Sequence, residues 1–248
     1  MNFTNKQAIV TGGAGGIGKC IAEYFLNAGT SVAVIDVNKE AGEALTGEHL
    51  QFFHGDIAEK DTLEKFVKTL PQPVDFLINN ACISRKGLLS ACSWEDFEYV
   101  QRIALTAPYY LTSLLRSYNL LAKNASIVNI ASTRGFQSQK DTESYSAAKG
   151  GILALTHSMS VSLAGVARVN AISPGWIDTT DSEFSGADNH QHPAGRVGKP
   201  QDIAEMVMFL CDNSRAGFIT GENIVIDGGM SRLMVYHGDD GWSKKTPL

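Results

Sequence analysis

From residue 11 to residue 18 the chain reads Thr-Gly-Gly-Ala-Gly-Gly-Ile-Gly, directly after a short apolar run, Gln7–Val10, and directly before an amphipathic stretch, Ile17–Asn27. Strand, glycine turn and helix open a βαβ unit, and little else fits around such a junction. Without side chains the backbone can turn tightly there and come close to a bound group. The helix that follows offers free N–H groups and the positive end of its dipole, a setting for phosphate. The run fits Gly-x-Gly-x-x-Gly at Gly13, Gly15 and Gly18, and equally fits Gly-x-x-x-Gly-x-Gly at Gly12, Gly16 and Gly18. A glycine-rich turn alone can be purely structural. The next apolar run, Ser31–Ile35, argues for more, because it ends at Asp36, 18 residues after Gly18. A carboxylate at that place accepts hydrogen bonds from the ribose hydroxyls of a dinucleotide. It also repels a 2′-phosphate, and no Lys or Arg stands at residues 13, 14, 15 or 37 to offset it. NAD(H) is therefore expected over NADP(H).

The rest of the chain keeps the same alternation. Leu50–Phe53, Val74–Ile78, Ser126–Ile130, Arg168–Ile172 and Asn223–Ile226 read as further strands. Helical stretches lie from about Lys39, around Trp94–Leu121 and Ser144–Leu163, and from Pro200 to Cys211, with Gly29 ending the first helix. Strands that are apolar throughout and separated by helices imply a parallel sheet covered on both faces. The expected fold is α/β, a doubly wound parallel sheet of Rossmann type with about seven strands and a ligand crevice at its carboxyl edge. Residues 1–229 are expected to form one domain. Residues 178–198, polar and without periodicity, read as a substrate loop, and residues 230–248 as a tail.

Composition narrows the function. With 248 residues and 44% apolar residues the chain can build one substantial core. A net charge of −5 leaves no basic stripe for phosphodiester backbones, so no nucleic-acid partner is expected. No apolar run approaches the ~18 residues of a membrane span, and the first residues lack the pattern of a secretory leader. A cytoplasmic protein with no membrane contact is expected. Cys20, Cys82, Cys92 and Cys211 show no CxxC and read as buried or incidental thiols. His190 and His192 lack a third ligand and read as exposed loop residues, so no metal is expected.

Tyr145-Ser-Ala-Ala-Lys149 opens a helix with Tyr and Lys at i and i+4, on one face. A free tyrosine is a poor base at neutral pH. A cation about 4 Å away, at an effective dielectric of ~20, favours a phenolate by roughly 4 kcal/mol, which is why a tyrosine needs a lysine beside it for general acid/base work. Upstream, the strand ending at Ile130 runs into Ala131-Ser132, and a hydroxyl at a strand's carboxyl end faces the crevice. Ser132 is placed to hold a carbonyl or alkoxide oxygen.

Together these pieces resemble the short-chain dehydrogenase/reductase family over nearly the whole chain. Thr11–Gly18 matches its TGxxxGxG turn, and Asn79-Asn80-Ala81-Cys82 its Asn-Asn-Ala-Gly stretch, with Cys82 in place of Gly. Ser132, Tyr145 and Lys149 match its catalytic set, and Pro174–Thr179 its PGxxxT segment. Arg196–Ala204 and Ile219–Gly229 match its C-terminal signature. The resemblance implies an enzyme that interconverts a secondary alcohol and a ketone by hydride transfer, with NAD as cofactor. Tyr145 would exchange the proton, Lys149 would bind the nicotinamide ribose and favour the phenolate, and Ser132 would orient the substrate oxygen. Gly12, Gly16, Ile17 and Gly18 would cradle the pyrophosphate and Asp36 the adenosine ribose. Asp56 and Ile57 would contact adenine, Asn80 would brace the neighbouring strand, and Pro174, Ile177 and Thr179 would hold the carboxamide. An epimerase or dehydratase relative would usually be longer.

One family residue is absent. The helix before the serine strand usually carries an Asn, and here Ile103-Ala104-Leu105-Thr106-Ala107-Pro108 puts Ala104 in its place. The family Asn is associated with a kinked helix and a water that relays protons to Lys. If backbone holds that water, the relay survives; otherwise the chain is a cofactor-binding sensor or scaffold with weak turnover. The small-molecule substrate is expected to be polar or anionic, because the 178–195 loop has Phe184 as its single large apolar residue and Arg85 and Arg134 are expected near the substrate mouth. Leu233, Met234, Val235, Tyr236 and Trp242 in the tail are expected to pack at a subunit interface of a homodimer or homotetramer.

Overall fold

The computed structural model describes residues 3–236 and 238–239. Seven strands, β1 (Gln7–Thr11), β2 (Ser31–Asp36), β3 (Leu50–His54), β4 (Val74–Asn79), β5 (Leu121–Ile130), β6 (Ala167–Pro174) and β7 (Asn223–Ile226), form one sheet in the order β3-β2-β1-β4-β5-β6-β7. Every neighbouring pair is parallel. The helices are α1 (Gly16–Asn27), α2 (Lys39–Glu43), α3 (Lys60–Val67), α4 (Trp94–Gln101), α5 (Ala107–Ser117), α6 (Glu143–Ser162), α7 (Ala187–His190), α8 (Pro200–Cys211) and α9 (Asn213–Ala216).

Alternate strand residues feed opposite layers, and both layers are apolar. Ile9, Ala33 and Leu77 join one core with Phe66 and Leu115, while Val10, Val34 and Ile78 join the other with Ile21 and Val207. This two-sided burial is why the strands read as continuous apolar runs. On the second face the rings of Phe25 and Phe76 stack at 5.3 Å. Strand order reverses between β1 and β4, and the loops leaving them diverge into a crevice at the carboxyl edge.

Two expectations about the elements need correction. The stretch around Trp94–Leu121 is not one helix: α4 and α5 are joined by a π-helical segment, Arg102–Thr106, and β5 already begins at Leu121. Residues 178–198 are not structureless, since they contain α7 and close with a bridge between Ile177 and Gly198.

Candidate active site

The glycine turn is clamped from the neighbouring strand's end. Asn80 Nδ2 donates to the carbonyls of Thr11 and Gly12, both at 3.0 Å. Thr11 Oγ1 accepts from the amides of Asn80 (3.0 Å) and Ala81 (3.1 Å). Gly12 has φ +65°, and a Cβ there would lie 2.8 Å from the Ala81 Cα. Gly18 meets the turn from the helix side, where a Cβ would sit 2.1 Å from the Gly12 carbonyl oxygen. Gly16 opens α1 beside Thr179. No side chain caps α1 and its first turn holds no acid, so the anion-binding character of its N-terminus is intact.

A cleft of about 510 Å³ runs from this turn along the sheet edge, lined by Gly12, Ile17, Asp36, Asp56, Ile57 and Asn80 among others. Asp36 already works on the turn: its carboxylate accepts from the amides of Ala14 (3.0 Å) and Asn38 (2.9 Å). The described lining contains no Lys or Arg. Bare backbone, a helix N-terminus and a strand-end carboxylate are the donor set a dinucleotide requires, and the residues fit one.

At the far end of that cleft Asp56 accepts from the Ala58 amide (2.8 Å) and from the Tyr99 hydroxyl (2.7 Å). Burial, with help from that carboxylate, pushes the Tyr99 hydroxyl up to about 12. Arg102 and Arg85 lie over the Tyr99 ring at 5.8 and 5.6 Å. Arg85 also pairs with Asp96 at 3.4 Å. Arg85, expected near the substrate mouth, lies against Tyr99 and Asp96 and is not among the described residues lining the second cleft. Tyr99 itself was not expected at the site, because nothing in its sequence neighbourhood marks it.

The second half of the crevice holds Ser132, Tyr145 and Lys149. Ser132 follows β5 and is 8% exposed; its Oγ accepts from the Arg134 amide at 3.2 Å. Lys149 is 3% exposed, donates to the Ile130 carbonyl at 2.6 Å, and stands 5.5 Å from the centre of the Tyr145 ring. One helical turn between Tyr145 and Lys149 on α6 makes this possible. Ser132, Arg134, Tyr145, Trp176, Ile177 and Gln191 line a cleft of about 780 Å³. Ile83 and Thr179 line the first cleft while Ser84 and Ile177 line the second, so the two adjoin. Pro174 is buried at the end of β6, opposite Ile226.

Below the site runs a buried polar chain. Asn79 Nδ2 donates to Asn129 Oδ1 (2.8 Å), Asn129 Nδ2 to Thr156 Oγ1 (2.9 Å), and Thr156 to the Ile152 carbonyl (2.7 Å). It ties β4 and β5 to α6, and asparagines in otherwise apolar strands were its only signal. Beside it, Ala107 N donates to the Arg102 carbonyl, five residues back. Ala104 is buried in this π segment against Val100 and Ala148. Pro108, having no N–H, supplies no donor to the Ala104 carbonyl four residues earlier.

The loop over the second cleft is pinned at its base by Arg196, which donates to both oxygens of Asp202 at 2.7 Å. Arg196, with the Lys199 amide, holds the Asp202 carboxyl below its ordinary value despite opposing burial. Trp176 packs edge-on to Phe184 at 5.1 Å and lies 6.2 Å from His192. His192 is 2% exposed, which corrects its reading as an exposed residue; His190 is exposed. Among the described residues no group of three or more His, Cys, Asp or Glu could hold a metal. Cys20 and Cys211 are buried, Cys82 and Cys92 half-buried, and all four are free. Leu233, Met234, Val235 and Tyr236 are exposed, while Trp242 lies outside the described residues. No described helix is long and apolar enough to cross a membrane.

The doubly wound sheet thus carries a glycine-turn cleft on one side of its switch point and a cleft lined by Ser132 and Tyr145 on the other. Residues 12–231 match the family model described as enoyl-(acyl carrier protein) reductase. An uncharacterized oxidoreductase of Thermotoga maritima is 41% identical, across 93% of this chain and 98% of its own. The structure of an apo SCOR enzyme from Clostridium thermocellum is 48% identical with a TM-score of 0.92, covering 98% of this chain and 100% of that one. A 4-hydroxyisoleucine dehydrogenase complexed with NADH is 28% identical with a TM-score of 0.84, covering 93% and 100%. The chain belongs to the short-chain dehydrogenase/reductase family. It is therefore an oxidoreductase, and dependence on NAD(P) is typical of its family.

Proposed function

We propose that the protein interconverts a secondary alcohol and a ketone using NAD(H), with Tyr145 as general acid/base. The observation that carries this reading is the buried Lys149 ammonium 5.5 Å from the centre of the Tyr145 ring, which itself lines the second cleft. When bound, the nicotinamide ring supplies or accepts the hydride. In oxidation Tyr145 Oη takes the carbinol proton as hydride leaves the carbon, and in reduction it returns that proton. Ser132 Oγ holds the substrate oxygen toward Tyr145. Lys149 has three donors; one engages the Ile130 carbonyl, which leaves two for ribose hydroxyls, and its charge offsets the negative charge developing on Tyr145. Gly12, Gly16, Ile17 and Gly18 hold the pyrophosphate, Asp36 the adenosine ribose, Asp56 and Ile57 the adenine, and Pro174, Ile177 and Thr179 the carboxamide, with Asn80 bracing the turn. The reading takes residues 1–229 as one catalytic domain, in the cytoplasm, associated as two or four copies through surfaces that include the exposed tail residues.

Cofactor choice follows from Asp36. Its carboxylate stands in a cleft whose described lining has no cation, so a 2′-phosphate meets unrelieved repulsion. Titration should show tighter binding of NADH than of NADPH. Asp36→Ala should shrink that preference to within about tenfold by removing both the ribose bonds and the repulsion, a change of about 1.4 kcal/mol per decade. Equal or better NADPH affinity in the wild type refutes the assignment.

Ala104 decides whether the proton relay is complete. The π segment and Pro108 leave backbone carbonyl capacity near residue 104, which supports a relay held by main chain. Ala104→Asn should then change turnover by less than about tenfold. The added amide enters the apolar cluster of Val100 and Ala148, so the melting temperature should fall. A much larger rise in turnover would instead mark the natural protein as relay-impaired, a slow enzyme or a sensor.

A further inference from the structure

The cleft beside Tyr145 is lined by neutral polar side chains together with the apolar Trp176, Ile177 and Met230, and its one formal charge among the described lining residues is Arg134. Arg134 sits two residues beyond Ser132, on the short 3₁₀ turn Thr133–Gly135 that Ser132 caps. Its guanidinium carbon lies 5.4 Å from the centre of the Tyr145 ring. Its backbone amide donates to Ser132 Oγ, but among the described residues no hydrogen bond or ion pair reaches the guanidinium. Elsewhere on this molecule arginines beside functional segments are spent, Arg196 on Asp202 and Arg85 on Asp96. Half-buried beside the reacting tyrosine, Arg134 keeps its five donors free and faces a cleft without a single Asp or Glu.

Around it the cleft supplies neutral polar groups, Ser84, Gln137, Ser138, Gln139 and Gln191. These suit the rim of a small anion, while Trp176, Ile177 and Met230 give a short carbon chain an apolar wall. A guanidinium fork binds a carboxylate through two parallel N–H···O bonds. One such cation neutralises one carboxylate. A phosphomonoester carries close to two negative charges, and the described lining of this cleft offers no second cation beside Arg134.

We propose that Arg134 is a specificity-determining residue and that the substrate is a small free hydroxy acid or its oxo-acid partner, its carboxylate clamped by Arg134 while its carbinol or carbonyl oxygen meets Ser132 and Tyr145. This rests on the alcohol/ketone reading above. With the guanidinium carbon 5.4 Å from the centre of the Tyr145 ring, the clamp and the reacting oxygen stand a short distance apart, so chain length between the two substrate groups is selected.

The test is a set of short 2-oxo, 3-oxo and 4-oxo acids, each paired with its methyl ester, alongside simple neutral ketones and one oxo-phosphate, all scored by NADH oxidation. The wild type should prefer one chain length of acid over its ester by about a hundredfold in kcat/KM, the usual scale for a charge-assisted bidentate contact. Arg134→Gln should bring the acid-to-ester ratio to within about threefold of unity, and Arg134→Lys should fall between. Equal rates for acids and esters in the wild type overturn the carboxylate assignment while leaving the alcohol/ketone reading standing. So does a preference for the oxo-phosphate, or a Gln variant that keeps the acid preference. No NADH oxidation above the Tyr145→Phe background by any compound overturns both.

Discussion

Tyr145→Phe is expected to lower turnover by about a thousandfold, within the 10²–10⁴ range of a lost general acid/base, while NADH affinity stays within about threefold. The ring keeps its place between Lys149 and Arg134, at 5.5 and 5.4 Å, and only the proton-carrying oxygen goes. Transient NADH oxidation should slow as much as steady turnover does, because the interaction removed is one made in the transition state. Lys149→Met should differ in kind, damaging turnover and NADH affinity together, since in the proposed mechanism the same ammonium serves the ribose and the tyrosine. Retention of most activity by Tyr145→Phe on the true substrate would end the proposed mechanism.

Gly18→Ala is expected to be severely damaging to the glycine turn. The new Cβ would lie 2.1 Å from the Gly12 carbonyl oxygen and 2.5 Å from Asn80 Nδ2, both part of the clamp that shapes the turn. Either α1 or the turn must move, and a misplacement of about 1 Å in a positioning element costs around a hundredfold. NADH affinity should fall by at least that factor. Overpacking of about 1–3 kcal/mol, at roughly 2–4 °C per kcal/mol for a chain of this size, lowers the melting temperature by roughly 2–12 °C. Gly15→Ala is the control, because its methyl meets nothing within 4 Å and should leave the melting temperature within about 1 °C. Equal destabilisation by the two substitutions would refute the steric argument.

What the sequence made legible is what depends on local pattern. Runs such as Ser31–Asp36 are apolar on both faces because both faces are covered, so strands and their parallel order were readable from periodicity. The i, i+4 relation of Tyr145 and Lys149 and the place of Ser132 after a strand were readable for the same reason. What depends on tertiary contact was not. Residues 102–106 have an ordinary helical pattern, yet they wind as a π segment in which Ala104 packs with Val100 and Ala148. Arg85 lies five residues from Asn80, yet a loop side chain's direction is set by its partners, here the Tyr99 ring and Asp96. His192 sits in a polar loop, but Trp176 and the chain around Gly228 cover it. Tyr99 reaches Asp56 across 43 residues of sequence, a relation no spacing rule encodes.

The position of β1 inside the sheet, between β2 and β4, has a consequence for biosynthesis. One edge of β1 is satisfied early by β2, but the other waits for β4, with Ile9 opposite Leu77. At about 5–20 residues per second, the 68 residues separating that pair (77 − 9) take roughly 3–14 s to emerge. Throughout that interval the nascent chain presents a bare apolar strand edge, the kind of surface on which chains pair wrongly with one another. Nor can cofactor rescue it, because the amide that clamps the glycine turn belongs to Asn80, one residue past the end of β4. Ribosome-stalled chains should therefore acquire NADH-dependent protease resistance only when the stall lies far enough downstream for Asn80 to have left the exit tunnel.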